Sequence, residues 1–145
     1  MAAFEYIAPV RFADVDHAGI VYYPRYFHMF HVAFEELWRE RLGARAYVEL
    51  LDRDRIGFPA VRAECDYRAP LRFGDMAVVA VSIVKMGGKS IQFRYRVYRE
   101  RETMDAPRVL CAEGLVVCAV VDLTAFVAVP APAKVLRLLS DLVES

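Results

Sequence analysis

Asp14-Val15-Asp16-His17-Ala18-Gly19-Ile20-Val21-Tyr22-Tyr23-Pro24-Arg25-Tyr26-Phe27 is the stretch that decides the fold. Two acidic residues close a strand-like segment, a bend of small residues follows, and Pro24 opens a long amphipathic helix. Proline suits the first turn of a helix, where its missing N–H is not needed and its fixed φ already fits. Beyond it Phe27, Phe30, Phe34, Leu37 and Trp38 recur at helical spacing. Residues 24–42 therefore read as one helix with an apolar stripe, stopped at Gly43. The order acid, bend, helix start also carries chemistry. Peptide N–H groups at a helix start hold partial positive charge. A carboxylate placed there can activate water or attack a carbonyl, while the donors hold the oxyanion that results.

Upstream, Phe4, Tyr6, Ala8, Val10 and Phe12 alternate with Glu5, Ile7, Pro9 and Arg11, which predicts a first strand through residue 12. Pro9 puts it at an edge or beside a bulge. Downstream of the long helix, residues 45–54 suit a short one. After Gly57-Phe58-Pro59 the period switches to two. Val61, Ala63, Cys65, Tyr67 and Ala69 alternate with Arg62, Glu64, Asp66 and Arg68, the pattern of a half-exposed strand. Residues 76–86 and 89–100 predict a hairpin around Gly87-Gly88. Residues 108–121 are apolar on both faces, as in a strand inside a sheet. Residues 122–129 extend it or form a short extra strand, and Val135, Leu138, Leu139 and Leu142 mark a C-terminal helix. One long helix followed by a run of strands means α+β with a mostly antiparallel sheet. The helix covers one face and leaves the other to be buried against further subunits.

The 145 residues suit a single domain, residues 1–145. Nineteen basic residues balance nineteen acidic ones, so no global field draws in nucleic acid or an anionic membrane. The 57% hydrophobic content is high, yet no charge-free apolar run approaches the ~20 residues of a membrane span. The surplus points to a subunit interface. Met1-Ala2-Ala3-Phe4-Glu5 has no signal-peptide pattern. Cys65, Cys111 and Cys118 are odd in number and lack metal-finger or redox spacing, which fits reduced core residues of a cytoplasmic protein.

With Asp16-His17-Ala18-Gly19-Ile20-Val21-Tyr22-Tyr23-Pro24 as its most specific part, nearly the whole chain resembles the hotdog-fold acyl-CoA thioesterases. The 4-hydroxybenzoyl-CoA thioesterase group and its broader acyl-CoA relatives are the nearest in pattern. The resemblance implies a long central helix wrapped by a mostly antiparallel sheet of five to six strands. It implies Asp16 as catalytic carboxylate and the backbone N–H of Tyr23 as oxyanion donor. It implies that Gly88, Lys89 and Ser90, at a hairpin tip, hold coenzyme A for a neighbouring subunit. An obligate dimer and a homotetramer are expected, with an acyl-CoA thioester as substrate and neither metal nor resident cofactor. His17 departs from the proline of the best-known aromatic-specific members, which bears on substrate identity.

Each residue also has a plain structural reading. Asp16 can serve an Asx turn or cap the helix. Asp14, two positions earlier, would project to the same side if the segment were extended; bracing the loop is its expected role. No Ser, Thr or Asn precedes Pro24, so the first-turn donors are open to a ligand or to water. His17 can bond a substrate carbonyl, orient Asp16 or face solvent. His28, His31 and Glu35 share a helix side, where a pocket-lining role outweighs a metal site. Glu35 and Glu36 are alternative helix carboxylates. Lys89 and Ser90 can meet a phosphate or simply finish a turn. Tyr22, Tyr26, Phe27, Phe30 and Phe58 offer aromatic surface to an acyl pocket or to the core. A non-catalytic acyl-CoA-binding module and, third, a hotdog dehydratase or hydratase are the alternative functions.

Overall fold

The computed structural model describes residues 3–145; Met1 and Ala2, part of the N-terminal reading above, lie outside them. The helix opened by Pro24 is α1, Arg25–Leu42. Tyr26, Phe30, Ala33, Phe34, Leu37 and Trp38 form its buried stripe. It ends at Gly43, whose φ of 108° few other residues adopt. A short α2, Ala46–Asp52, follows.

The main sheet contains β1 (Phe4–Pro9), β3 (Ala60–Tyr67), β4 (Met76–Met86), β5 (Ser90–Arg99) and β6 (Val109–Ala119). Their order is β1-β4-β5-β6-β3, and every pairing is antiparallel. This is the helix-on-sheet arrangement expected of a hotdog fold. A small second sheet joins β2 (Ile56–Gly57), β7 (Val121–Asp122) and β8 (Val127–Ala128). The chain finishes in α3, Ala133–Leu139. No helix among the described residues is long and apolar enough to cross a membrane.

The core lies between α1 and the inner sheet face. Ile91, Phe93, Tyr95 and Val97 alternate inward along β5 and are all buried. Gly114 of β6 lies directly across from Tyr95, and the ring of Phe30 descends onto it. A Cβ at position 114 would sit 2.3 Å from Phe30 Cε2, so glycine is what admits the ring. Phe30 stacks on Tyr95 with centroids 4.8 Å apart and planes 10° from parallel. On the outer face, Glu144 of the C-terminal segment accepts hydrogen bonds from Ser82 (2.7 Å) and Arg94 (2.8 Å), and Arg96 pairs with Glu113 at 2.7 Å.

Two expectations change. The first strand stops at Pro9, because Phe12–Asp14 turns into a 3-10 helix and leaves Phe12 78% exposed. The strand of Val61 to Ala69 is not half-buried. As β3 it is an edge strand that α1 does not cover, and Val61 is 66% exposed. Of the two forms expected of residues 122–129, the short extra strand is the one found: β8 pairs with β7, which pairs with β2.

Candidate active site

The segment between β1 and α1 folds back on itself. Val15 bridges Val21, the Asp16 N–H donates to Ile20 O (3.0 Å), and the Tyr22 N–H donates to Asp14 O (2.9 Å). The resulting small hairpin turns at Ala18-Gly19, where Gly19 has φ 83°. It docks on the connection that leads into β4, through the Val21 N–H to Leu71 O (2.8 Å) and a bridge between Ile20 and Arg72.

Asp14 and Asp16 take opposite environments, because the 3-10 turn breaks the extended run that would have aligned them. Asp14 is buried. It accepts the Arg11 N–H at 2.8 Å and the Arg25 guanidinium at 2.7 Å, which ties the loop to the first residue of α1. Asp16 is exposed, with Oδ1 accepting the Ala18 N–H at 2.8 Å in an Asx turn. That bond fixes the carboxylate and leaves its other oxygen toward solvent. His17 is exposed beside it and makes no hydrogen bond among the described residues.

The donors at the helix start narrow from several to one. Arg25, Tyr26 and Phe27 donate to Tyr22 O, Tyr23 O and Pro24 O at 2.8–3.4 Å. Pro24 has no N–H. The Tyr23 N–H therefore stands alone without an acceptor among the described residues. The Tyr67 hydroxyl holds the next peptide along, donating to Tyr23 O at 3.0 Å. Burial, then the nearby Cys65 thiol, pushes Tyr67 up to about 12, so it is neutral and able to donate at ordinary pH.

Gly88, Lys89 and Ser90 lie elsewhere. They form the β4–β5 tip, with the Gly87 N–H donating to Ser90 O at 2.8 Å and the Lys89 side chain exposed and unpaired among the described residues. The Asp16 hairpin docks at the other end of β4. Eleven extended residues separate the two ends, on the order of 30 Å. Asp16 and His17 lie on the hairpin that leads into α1, Tyr23 lies just before that helix, and Lys89 and Ser90 lie at the far end of β4.

A groove beside Tyr23 is bounded by Tyr26, Tyr67 and Ala69. A separate cavity of about 360 Å³ lies between Phe27, Phe30, Phe34, Phe58 and Tyr95. Of the aromatic residues expected near a pocket, Phe27, Phe30 and Phe58 line this cavity, Tyr26 lines the groove, and Tyr22 lies in neither. Sequence reading missed Tyr47 and Tyr95 as cavity residues, while His31, expected to line a pocket, does line this one. The available signals were Tyr95's inward place in the period-two run of β5 and the lone Gly114 opposite it.

His28 and His31 do not converge. His28 lines a separate groove with Arg25 and Asp14, while His31 pairs with Glu35 at 3.1 Å beside the cavity. Glu36 is engaged with Arg39 at 3.5 Å.

Residues 10–139 match the thioesterase-like superfamily. The chain is 28% identical over 116 residues to a 1,4-dihydroxy-2-naphthoyl-CoA hydrolase of Synechococcus elongatus, covering 79% of this chain and 85% of that protein. It is 29% identical over 115 residues to the acyl-CoA thioester hydrolase YbgC of Escherichia coli O157:H7, covering 79% and 81%. The structure of BH1999 gentisyl-coenzyme A thioesterase superposes with a TM-score of 0.75 at 30% identity, covering 90% of this chain and 98% of that one. The chain belongs to the thioesterase-like superfamily and is a hotdog-fold enzyme of the thioesterase class.

Proposed function

We infer that the chain hydrolyses an acyl-CoA thioester, aryl or short- to medium-chain, to free acid and coenzyme A. The observation that carries this is the Tyr23 N–H, left without an acceptor among the described residues at the start of α1, a helix entered from a hairpin that carries a carboxylate pinned by its Asx turn. A thioester carbonyl seated at that N–H has its developing oxyanion stabilised there. Asp16 either attacks the carbonyl carbon, expelling the thiolate and giving a mixed anhydride that water then cleaves to free acid and the Asp16 carboxylate, or takes a proton from a water that attacks the carbonyl directly. The thiolate leaves as coenzyme A in both cases. His17 is placed to contact the substrate near the same carbonyl.

Lys89 and Ser90 of a second copy anchor the nucleotide end of coenzyme A. Support comes from the separation of about 30 Å on one chain and from β3, an edge strand paired only with β6 and mostly exposed. The working unit on this reading is a homodimer, doubled to a tetramer through the outer sheet faces. Lysine supplies a point charge, and Gly88 lets a phosphate approach the backbone.

Release of free thiol from a panel of aromatic and aliphatic acyl-CoA substrates tests the reading. Asp16→Asn should cut kcat by at least ~10², the loss typical of a missing base or nucleophile, and spare substrate binding. Unimpaired turnover in that variant would remove Asp16 from the mechanism. A chain that binds coenzyme A thioesters without releasing thiol would instead be the non-catalytic binding module.

A further inference from the structure

Tyr67 ends β3, and its hydroxyl is the one side-chain group, among the described residues, that bonds the backbone of residues 22–27. Pro24 enters α1 without a side-chain cap and has no N–H. The Tyr23–Pro24 peptide can therefore be held only through its oxygen. Two donors reach that oxygen, the Tyr67 hydroxyl at 3.0 Å and the Tyr26 N–H at a long 3.4 Å. On the other side of Tyr23 the chain is fixed by backbone alone. The Tyr22 N–H donates to Asp14 O at 2.9 Å, and Tyr22 O accepts the Arg25 N–H at 2.8 Å. The Tyr23 N–H, which has no acceptor among the described residues, lies between these two anchors.

The phenol is itself firmly placed. Its ring meets Tyr26 edge-on at 5.3 Å and Tyr23 at 6.2 Å, and Tyr26 is only 3% exposed. A side chain with two χ angles and two ring contacts has little freedom left at its hydroxyl. Cys65, two residues back on the same strand face, offers that hydroxyl a second partner, but a thiol sulfur accepts weakly. The Tyr23 carbonyl is the better acceptor and keeps the bond. Tyr23 and Tyr67 border the same groove. Without the hydroxyl, Tyr23 O retains one long backbone bond, and rotation at the Tyr23 α-carbon turns the N–H away. An oxyanion donor works because it is aimed before the charge develops, and a displacement of about 1 Å can cost on the order of 10² in rate.

We propose that Tyr67 is a positioning residue for the hydrolysis: by donating to Tyr23 O from the edge strand, its hydroxyl fixes the direction of the Tyr23 N–H that receives the oxyanion. This rests on the hydrolase reading above and adds to it a side chain that acts through the backbone of another residue.

Tyr67→Phe removes one oxygen and keeps the ring contacts, and at a position 47% exposed the protein should still fold. With benzoyl-CoA or octanoyl-CoA, whichever the full-length wild type hydrolyses faster, kcat should fall about tenfold, the factor one hydrogen bond supplies, while KM stays within about twofold. Selective 15N labelling of the eight tyrosines reads the donor itself. The Tyr23 and Tyr26 amide resonances should move in the variant, and those of Tyr6 and Tyr98 should stay in place. Because the ring remains, a shift at Tyr23 reports the lost hydroxyl. A raised KM with kcat unchanged would mean that the hydroxyl meets substrate instead, and it overturns the proposal. So does a wild-type kcat, and so does a lowered kcat with the Tyr23 amide unmoved. If the wild type releases no thiol from either ester, the hydrolase reading is what fails. The amide then decides the tether alone: a shifted Tyr23 resonance sustains it, and an unshifted one sinks it.

Discussion

Gly114→Ala probes whether the contact between α1 and the sheet is as close as it looks. The new methyl would lie 2.3 Å from Phe30 Cε2, 2.5 Å from Cζ and 3.2 Å from Cδ2. Carbon atoms rest at about 3.5–4.0 Å, so the ring must back away by more than ~1 Å. Phe30 is buried and stacked on Tyr95, so backing away breaks that stack and pushes the ring into the cavity. Overpacking of this kind costs about 1–3 kcal/mol. Position 114 has an ordinary strand backbone, so alanine returns roughly 0.4–1 kcal/mol by restricting the unfolded chain. The balance is a loss of about 1–2 kcal/mol, or a fall in Tm of roughly 3–8 °C for a domain of this size. Thermal and urea unfolding at fixed protein concentration give the answer. Phe30→Leu in the same background should recover part of the loss, so that the double-mutant cycle shows coupling of at least ~0.5 kcal/mol. A Gly114→Ala protein as stable as the wild type, with no coupling to position 30, would refute the close approach and the aromatic wall built on it.

Other perturbations separate the roles of the charged groups. Asp14→Ala removes the acceptor shared by Arg25 and the Arg11 N–H. It should cost about 1–3 kcal/mol and lower kcat as the Asp16 hairpin loosens, and a Tm within 1 °C of wild type would mean that the brace holds nothing. Lys89→Ala should raise KM more than it lowers kcat and flatten the salt dependence of KM; an unchanged KM would dismiss the hairpin tip as a coenzyme A anchor. Burial tends to raise the pKa of Glu144, but its bonds to Ser82 and Arg94 prevail and hold it below the usual carboxylate range. Its folded value thus lies under the unfolded value of about 4.3. Its contribution is complete above the unfolded value and disappears as pH falls through the folded one. Glu144→Gln should therefore lose less stability than the wild type between about pH 5 and 3, and parallel acid-unfolding curves would contradict that.

Periodicity is local, and what was local was legible. The apolar stripe from Phe27 to Trp38 and the inward alternation of β5 mark elements whose burial repeats along the chain. The Asp16 bend was legible too, since Ala18-Gly19 and Pro24 are backbone signals. Features made by distant segments meeting were not. Glu144 reaches Ser82 and Arg94 across 62 and 50 positions of sequence. The exposure of β3 depends on its place at the sheet edge rather than on its alternation. The 3-10 turn over Phe12–Asp14 interrupts a pattern that still alternates. It is held by the Arg11 N–H bonding Asp14, a contact with no periodic trace. The cavity belongs to this class, because Tyr47 and Tyr95 become neighbours only once α2 and β5 have closed on α1.

Trp38 is the sole tryptophan of the chain and is 1% exposed. Its indole touches the rings of Phe34, Tyr47 and Phe58, each of which also lines the aromatic cavity. The molecule therefore carries a built-in optical reporter one ring removed from that cavity. Emission should sit at the blue end in the native state, move red on unfolding, and change in intensity as an aromatic guest quenches or accepts its excitation, which allows occupancy to be followed without any label.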